Sequence, residues 1–234
     1  KNGPSERRRF LDMMIGQIRP NYINNLNTYN KILEQRNNYL KQIKDGNVNY
    51  DLLDIWDEKL AAYANKICLY RNEFINKIKE KISNIHNDIT NNSEKIEIEY
   101  VTDCLNKEKL LELIKSRRKL DIIKGYTTKG THRDDFNIYI NDNLVNVFGS
   151  QGQHRTAVLS LKVCELQIIK EETGESPILL LDDFMSELDS KRRKNFLNKI
   201  EDTQVIITCT DKFAENKENN AVFYVEKGKI EKEQ

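Results

Sequence analysis

Apolar residues recur every three or four positions from Leu53 to Ile89, and this period is that of one face of an α-helix. At 1.5 Å per residue, a helix over residues 50–90 would be roughly 60 Å long. A shorter stripe of the same period begins after Tyr22 and stops at KDGN, residues 44–47. We therefore predict two helices in an antiparallel hairpin, whose aromatic residues pack its core and bind no cofactor.

Helical and strand patterns alternate over the rest of the chain. A helix is predicted over 5–19, with Ser5 as its N-cap and Pro20 after its end. A β-hairpin is predicted over 136–147, turning at Asn141–Asp142. The remaining predicted helices are 106–120, 150–172 and 188–200. The remaining predicted strands are 96–101, 178–182, 205–209 and 221–226.

The order of these elements predicts an α/β fold. Residues 178–182 form a continuous apolar strand, which is typical of a parallel sheet with both faces covered. Strand and helix alternate after it, as in α/β proteins. We predict a helical arm domain over 1–120 and an α/β core over 121–234.

Composition narrows the possible sites. Lys and Arg number 38 against 37 Asp and Glu, so a surface for nucleic acid must be a local cluster. Mean hydropathy is −0.71, and no apolar run reaches the roughly 20 residues that cross a bilayer, so we expect a cytosolic protein without a membrane partner. Four widely spaced cysteines without a CxxC pair, and three histidines, predict reduced thiols and no zinc site.

Two adjacent acids follow the apolar strand ILLL. Asp182 ends the strand, at the edge where open α/β sheets bind ligands, and is placed to hold Mg²⁺. Asp183 points elsewhere and is placed to polarise an attacking water. Hydrolysis of a phosphoanhydride needs both tasks. The alternative is that the pair only caps the next helix.

A second anion-binding feature is FGSQGQHRT at 148–156. Ser150, between Gly149 and Gly152, can cap the long helix that follows, and the first-turn N–H groups of such a helix attract anions. A phosphate loop of the GxxxxGK[ST] type is not found. Its one lookalike, GYTTKGT at 125–131, has Lys129 before the second glycine and no clear preceding strand, so we interpret it as a loop into the next strand.

The order SQGQ, helix, ILLLDD and SELD resembles the signature, Walker B strand and D-loop of ABC-type ATPases. GPSERRRFLD at 3–12 and HRDDF at 132–136 resemble further motifs of the RecF family, from the SMC-like branch of these ATPases. The resemblance spans nearly the whole chain. It implies the fold class: α/β, a partial ABC-type ATPase core (lobe I) with an inserted α-helical arm domain (lobe II). It also implies a Walker A lobe before Lys1, without which this chain would bind ATP poorly and be inactive alone.

The resemblance also implies roles for individual residues. Two subunits would sandwich ATP, with Mg²⁺ as the second cofactor. In trans, the signature of one subunit would cover the nucleotide of the other through Ser150, Gln151, Gly152 and Gln153. Asp182 would organise Mg²⁺, Asp183 would be the catalytic base, and Asp189 would contact the partner subunit. Thr208, where transporters carry a switch histidine, is a candidate sensor of the γ-phosphate. His132, Arg133 and Asp134 have no assigned chemistry, and an Arg–Asp structural network is an equal alternative.

RecF proteins are ATP-dependent recombination mediators, so the resemblance implies a weak ATPase that dimerises on double-stranded DNA at gaps and supports RecA loading. RecR would be a partner, with RecO and RecA in the pathway, in a nucleoid-associated cytoplasmic setting. Two basic runs are candidate DNA contacts, or solvated helix faces. Their residues are Arg7, Arg8, Arg9, Lys115, Arg117, Arg118 and Lys119.

Two other functions are weighed against this one. A transporter ATPase subunit is disfavoured by the long helical insertion and by the absence of a histidine after the strand VIITC. A non-hydrolysing scaffold on a degenerate ABC fold is disfavoured by the presence of Ser150, Asp182 and Asp183.

Overall fold

The structure is a computed structural model that describes residues 3–43, 49–182, 189–200, 203–210 and 221–232. Its α-helices are α1 Pro4–Ile18, α2 Pro20–Gln42, α3 Tyr50–Thr90, α4 Lys107–Lys124, α5 Val145–Phe148, α6 Gln151–Thr173 and α7 Ser190–Lys199. Its strands are β1 Ile96–Val101, β2 Asp135–Ile140, β3 Asn143–Leu144, β4 Leu179–Asp182, β5 Val205–Thr208, β6 Phe223–Glu226 and β7 Lys229–Lys232.

The first helix begins one residue earlier than predicted. Gly3 occupies the N-cap position of α1 and Pro4 the first turn, so the prediction of Ser5 as the cap is wrong. Proline is well suited to this place because its fixed φ fits the helix and its missing N–H needs no partner there. The next proline, Pro20, begins α2 directly after Arg19, where the chain leaves helical geometry.

The antiparallel hairpin of α2 and α3 is confirmed. Near the loop, Tyr39 bonds to the backbone of Asn49, and at the other end the ring of Tyr22 packs edge-on against Tyr70. The helix α3 has 41 residues, and its apolar stripe is buried as predicted. The predicted break at 44–47 lies outside the described residues.

A three-stranded antiparallel sheet follows the hairpin. Ile96 pairs with Ile140 and Tyr100 with Phe136, while Asn141 and Asp142 form the predicted turn, both with positive φ. The hairpin predicted to extend to residue 147 is wrong in its second strand. After the two residues of β3 the chain turns into the short helix α5, which is closed by a bond from Gly149 N to Val145 O at 3.0 Å.

The sheet joins the two halves of the chain, because β1 comes from the predicted arm and β2 from the predicted core. The proposed boundary at residue 120 lies inside α4, which runs on to Lys124 and ends at Gly125 with φ of 70°. Gly125 therefore follows a helix, which supports the interpretation of GYTTKGT as a plain loop. The division into arm and core stays a prediction.

The apolar strand forms a parallel pair, as predicted. Strands β4 and β5 pair from Leu179 with Val205 to Asp182 with Thr208. Leu179 is buried, but Leu180 is 69% exposed, so within the described residues only one face of this pair is covered. The last strand pair, β6 and β7, is an antiparallel hairpin; β6 was predicted and β7 was missed.

The core gathers around α3. Its second half packs on α6 and α7, and its first half packs on α2 and α4. The short helix α1 packs on β2 and α6, and so connects the arm side to the sheet. In the part of the chain that is described, no helix is both long enough and apolar enough to cross a membrane.

Candidate functional site

The N-terminus of α6 is a fully formed capping box. The Ser150 hydroxyl accepts a bond from the Gln153 N–H at 3.2 Å, and the Gln153 side chain accepts one from the Ser150 N–H at 3.0 Å. The sequence prediction of Ser150 as the cap is confirmed. A capped 23-residue helix presents its positive end at Gln151 and Gly152, which is an arrangement that favours an anion.

Glycines stand on both sides of the cap, and both lie close to other parts of the chain. A Cβ on Gly149 would lie 2.6 Å from the Val145 carbonyl oxygen, so α5 and α6 can meet at this angle only with glycine. A Cβ on Gly152 would lie 3.1 Å from Arg192 Nη1. Arg192 lies on α7, so the SQGQ segment lies next to the helix that follows SELD in the sequence.

Arg192 lies next to two acids and one glycine, of which Glu94 and Gly152 are distant from it in sequence. Asp189 caps α7 by accepting from the Arg192 N–H at 2.9 Å, and its other carboxylate oxygen lies 3.6 Å from Arg192 Nε. The same guanidinium lies 3.7 Å from Glu94, just after α3. The structure thereby brings Gly152 and Asp189 to one surface through a residue that sequence reasoning missed.

A buried histidine extends this cluster into the long helix. His86 on α3 is fully buried, with Nδ1 2.9 Å from the Ser160 hydroxyl on α6 and Nε2 3.3 Å from Glu94. Burial lowers the pKa of His86, although Glu94 opposes the effect. His86 carried no sequence signal, because an isolated polar residue within an apolar stripe is more often a satisfied core group. Glu94 stands in the polar segment after α3 and matched no motif.

The end of the parallel strand pair forms a second polar group. Thr208 Oγ1 donates to Asp182 Oδ1 at 2.5 Å, so the predicted Mg²⁺ ligand and the predicted γ-phosphate sensor are in contact. This contact follows from the register, which pairs the last residues of β4 and β5. Asp183, the predicted catalytic base, lies outside the described residues.

The donor set at Asp182 fits Mg²⁺ bound together with a nucleotide. Mg²⁺ in such sites takes one or two carboxylates, with phosphates and water as the other ligands. Asp182 is exposed and supplies one carboxylate, next to a hydroxyl oxygen. Within the described ranges no three His, Cys, Asp or Glu residues cluster as a complete metal cage.

No hydrogen bond or ion pair among the described residues joins the Ser150 group to the Asp182 group. Gly152, Asp189 and Arg192 form one cluster, and Asp182 with Thr208 forms the other.

The HRDDF motif is the centre of a buried polar network. Asp134 is 3% exposed and accepts bonds from the hydroxyls of Tyr100, Thr102 and Thr131 at 2.7–2.8 Å. Arg71 of α3 lies 3.4 Å from it and donates to the Thr131 backbone at 2.8 Å. The structure thus gives Asp134 the role of a structural acid, which was the alternative left open for this motif.

The other residues of this motif are also engaged in packing. His132 Nδ1 is bonded to the Tyr29 hydroxyl at 2.6 Å and Nε2 to the Thr127 carbonyl at 3.1 Å. Burial lowers the pKa of His132 to about 4. Gly130, with φ of 136°, makes room for Tyr29, since a Cβ there would lie 2.5 Å from the phenol oxygen.

The GPSERRRFLD motif binds the HRDDF motif. Arg7 forms a two-point ion pair with Asp135, and Arg8 donates to the Asp134 carbonyl at 2.8 Å. Asp12 accepts from Arg71 at 2.8 Å. The two segments that resembled separate family motifs are therefore partners in the fold.

The second predicted DNA-binding run is partly neutralised within the chain. Arg118 forms ion pairs with Asp54 at 2.6 Å and with Asp57 at 2.7 Å, and Lys115 also pairs with Asp54. Asp57 is shared with the fully buried Arg36 at 2.7 Å. The exposed members of the two predicted runs are Arg9, Lys115, Arg117 and Lys119. DNA contact by either run stays a prediction.

Comparison with known proteins was made by sequence and by structure. No protein-family model matches the chain. The chain is 43% identical over 238 residues to the DNA replication and repair protein RecF of Clostridium perfringens, covering 99% of this chain and 65% of that protein. It is 45% identical over 222 residues to the protein of the same name from Ruminiclostridium cellulolyticum, covering 91% and 59%.

The fold gives the same result. A solved structure of the recombination mediator protein RecF-ATP in the RecFOR pathway matches 100% of this chain and 64% of its own, with a TM-score of 0.88 and 43% identity. The predicted fold class is confirmed by this match, because the chain has the mixed α/β fold of that RecF structure with a large helical part. The chain spans about two thirds or less of the length of these relatives, and it belongs to the RecF family.

Proposed function

We propose that this chain is part of an ATP-dependent recombination mediator. It would dimerise around ATP on double-stranded DNA at gaps and support RecA loading, together with RecR and RecO. Relatives named DNA replication and repair protein RecF, and the solved RecF-ATP structure, support this proposal. The observation that carries it is that one chain has both a capped helix end at Ser150, which favours an anion, and an exposed carboxylate at Asp182 beside Thr208.

These two features would act together if two copies of the chain meet. The positive end of α6 in one copy would face the nucleotide of the other, and Asp189 would lie at the contact. Asp182 would hold Mg²⁺ in its own copy, and the bound ion would neutralise charge on the phosphates. Asp183 would accept a proton from the attacking water, a task worth about 10²–10⁴-fold in rate.

Light scattering of the intact protein tests this function directly. Molar mass is measured with and without ATP–Mg²⁺ and with duplex DNA. We expect the mass to double only with ATP, and more completely when DNA is present. A monomer under every condition contradicts the proposal and favours the non-hydrolysing scaffold.

Ser150→Arg isolates the role of the cap in trans. We expect it to prevent the ATP-dependent doubling of mass, while ATP binding to the monomer, measured by calorimetry, stays within about threefold. Ser116→Arg, at an exposed serine of α4, is the matched control and should dimerise normally. Normal dimers of Ser150→Arg would show that the cap does not lie at the shared interface.

Asp182→Asn tests the metal ligand separately. We expect it to lower the Mg²⁺-dependent rate of ATP hydrolysis at least about 10²-fold, because the carboxylate would no longer hold the ion. Unchanged turnover would reduce Asp182 to a structural partner of Thr208.

A further inference from the structure

Two cations lie over an exposed tyrosine just after α4, and a third cation lies beside the preceding glycine. Tyr126 is 40% exposed. Lys124 Nζ lies 5.8 Å and Arg133 Cζ 5.3 Å from the centre of its ring. The stem of Lys41, at the end of α2, packs against the neighbouring Gly125, where a Cβ would lie 3.4 Å from Lys41 Cγ. We call Lys41, Lys124, Tyr126 and Arg133 the Tyr126 cluster.

The charges of the Tyr126 cluster are not neutralised within the described residues. Its three cations are exposed, and no carboxylate of the described ranges lies within ion-pair distance of them. The next lysine along, Lys129, is by contrast paired with Asp103 at 2.5 Å. Arg133 does have a neutral partner, because its Nη2 lies 3.4 Å from the Thr127 carbonyl oxygen. The cluster therefore keeps a local charge of three cations on a chain whose net charge is +1.

The aromatic ring explains how such charges can be held in place without being cancelled. A cation over a ring face is attracted to it by roughly 0.5–1 kcal/mol at an exposed site, and the ring adds no opposing charge. A carboxylate would hold a cation as well but would remove its field. The ring thus leaves Lys124 and Arg133 positioned and still able to attract an anion.

We propose that the Tyr126 cluster binds the phosphodiester backbone of DNA. The lysine ammonium, the arginine guanidinium and the tyrosine hydroxyl all donate hydrogen bonds to phosphate oxygens. Arginine can bind one phosphate through two N–H groups. Three uncompensated cations in one place match a polymer with closely spaced negative charges. The proposed DNA-binding function is the premise of this inference, which adds a location for that contact.

The cluster is a better candidate than the two basic runs. Arg7 is held by Asp135, and Arg118 by Asp54 and Asp57, so part of their charge is already compensated. The cluster also lies near the HRDDF turn, because Arg133 belongs to both. That turn is fixed by the buried Asp134, so the cluster stands on a rigid base.

The test measures binding of labelled duplex DNA by the intact protein with ATP–Mg²⁺, by fluorescence anisotropy over a range of salt concentrations. The variant is Lys41→Gln/Lys124→Gln/Arg133→Gln. We expect its affinity to fall about 10- to 100-fold, and the slope of log K against log salt to become shallower by roughly two to three, at about 0.9 per lost phosphate contact.

A matched control removes equal charge elsewhere. Lys59→Gln/Lys66→Gln/Lys79→Gln changes three exposed lysines of α3, of which Lys59 and Lys66 also lie over aromatic rings, those of Trp56 and Tyr63. We expect an unchanged salt slope. A second variant, Tyr126→Leu, keeps all charges and should weaken binding about two- to fivefold with the slope unchanged.

The outcomes separate the two proposals. If the wild type binds no DNA in any nucleotide state, the proposed function and the cluster's role both fail. If the wild type binds and the triple variant has the same affinity and slope, only the role of the cluster fails. An equal loss of DNA affinity in the α3 control would also overturn the role of the cluster.

Discussion

Arg7 on α1 and Asp135 at the start of β2 form an ion pair through two bonds, each 2.6 Å long, although the residues are 128 positions apart. Their side chains are 18% and 20% exposed. The hydrogen bond with Asp135 raises the pKa of Arg7. This pair, with the contact between the Phe10 and Phe136 rings at 6.4 Å, fixes α1 to the sheet that precedes α6.

A double-mutant cycle should measure this pair. We expect Arg7→Ala and Asp135→Ala to couple by about 1 kcal/mol in the free energy of unfolding, a value kept small by solvent screening. Urea denaturation of the wild type, both single variants and the double variant gives the coupling. The cycle of Arg9→Ala with Asp135→Ala is the control, because Arg9 is exposed, and it should couple by less than about 0.5 kcal/mol. Equal coupling in both cycles would contradict a specific pair.

Asp134 should be more important for stability than any surface acid. Asp134→Asn weakens four interactions at a buried site and leaves Asp12 as the remaining acid beside Arg71. We therefore expect the free energy of unfolding to fall by about 2–4 kcal/mol. Asp103→Asn, which breaks the exposed pair with Lys129, should cost about 0–1 kcal/mol. Chemical denaturation of both variants checks the difference. Similar losses would rule out a central role for the Asp134 network.

His132 should make the protein less stable in acid. Folding lowers its pKa from 6.5 to about 4 through burial, so between these values the unfolded chain binds more protons than the folded one. The free energy of unfolding therefore falls as pH falls through this window, by up to about 3 kcal/mol from this group. Urea denaturation at several pH values measures the fall. His132→Gln should show a fall smaller by that amount, and parallel curves would refute the assignment.

One cysteine should react far faster than the others. Cys209 is exposed, whereas Cys68, Cys104 and Cys164 are buried, and burial raises the pKa of the Cys164 thiol to about 12. A thiol reagent at pH 8 should label one of the four thiols in the folded protein and all four in denaturant. Cys209→Ser should remove the fast reaction. Rapid labelling of that variant would mean that a buried thiol becomes accessible.

Local patterns predicted the helices well because their signals lie within a few residues. The stripe from Leu53 to Ile89 and the Ser150 cap each depend on contacts three or four positions apart. Predictions failed where the same local sequence pattern is compatible with two kinds of secondary structure. The segment after Asn143 alternates like a strand, yet it turns into α5 because Gly149 closes a helical turn onto Val145.

Long-range pairs could not be predicted in the same way. Arg71 and Asp134 are 63 positions apart, and nothing in the sequence near either residue indicates the other. The same is true of Arg192, whose neighbours Gly152 and Glu94 come from other elements. Basic runs were the weakest guide, because Arg118 is paired with acids from a different helix. The assignments of Asp182, Asp189 and Thr208 as ligands of a nucleotide site stay predictions.

The length of α3 has a mechanical consequence. Its last turns are held to α6 and α7 by His86 with Ser160 and by Asp88 with Lys199, close to the signature segment. A tilt of about 5° at this end would move the far end, near Asn49, by about 5 Å over its roughly 60 Å, as much as the rise of one helical turn. The helix would in this sense act as a lever that is held at its contacts with α6 and α7. The only tryptophan, Trp56, lies near the end that such a tilt would move farthest.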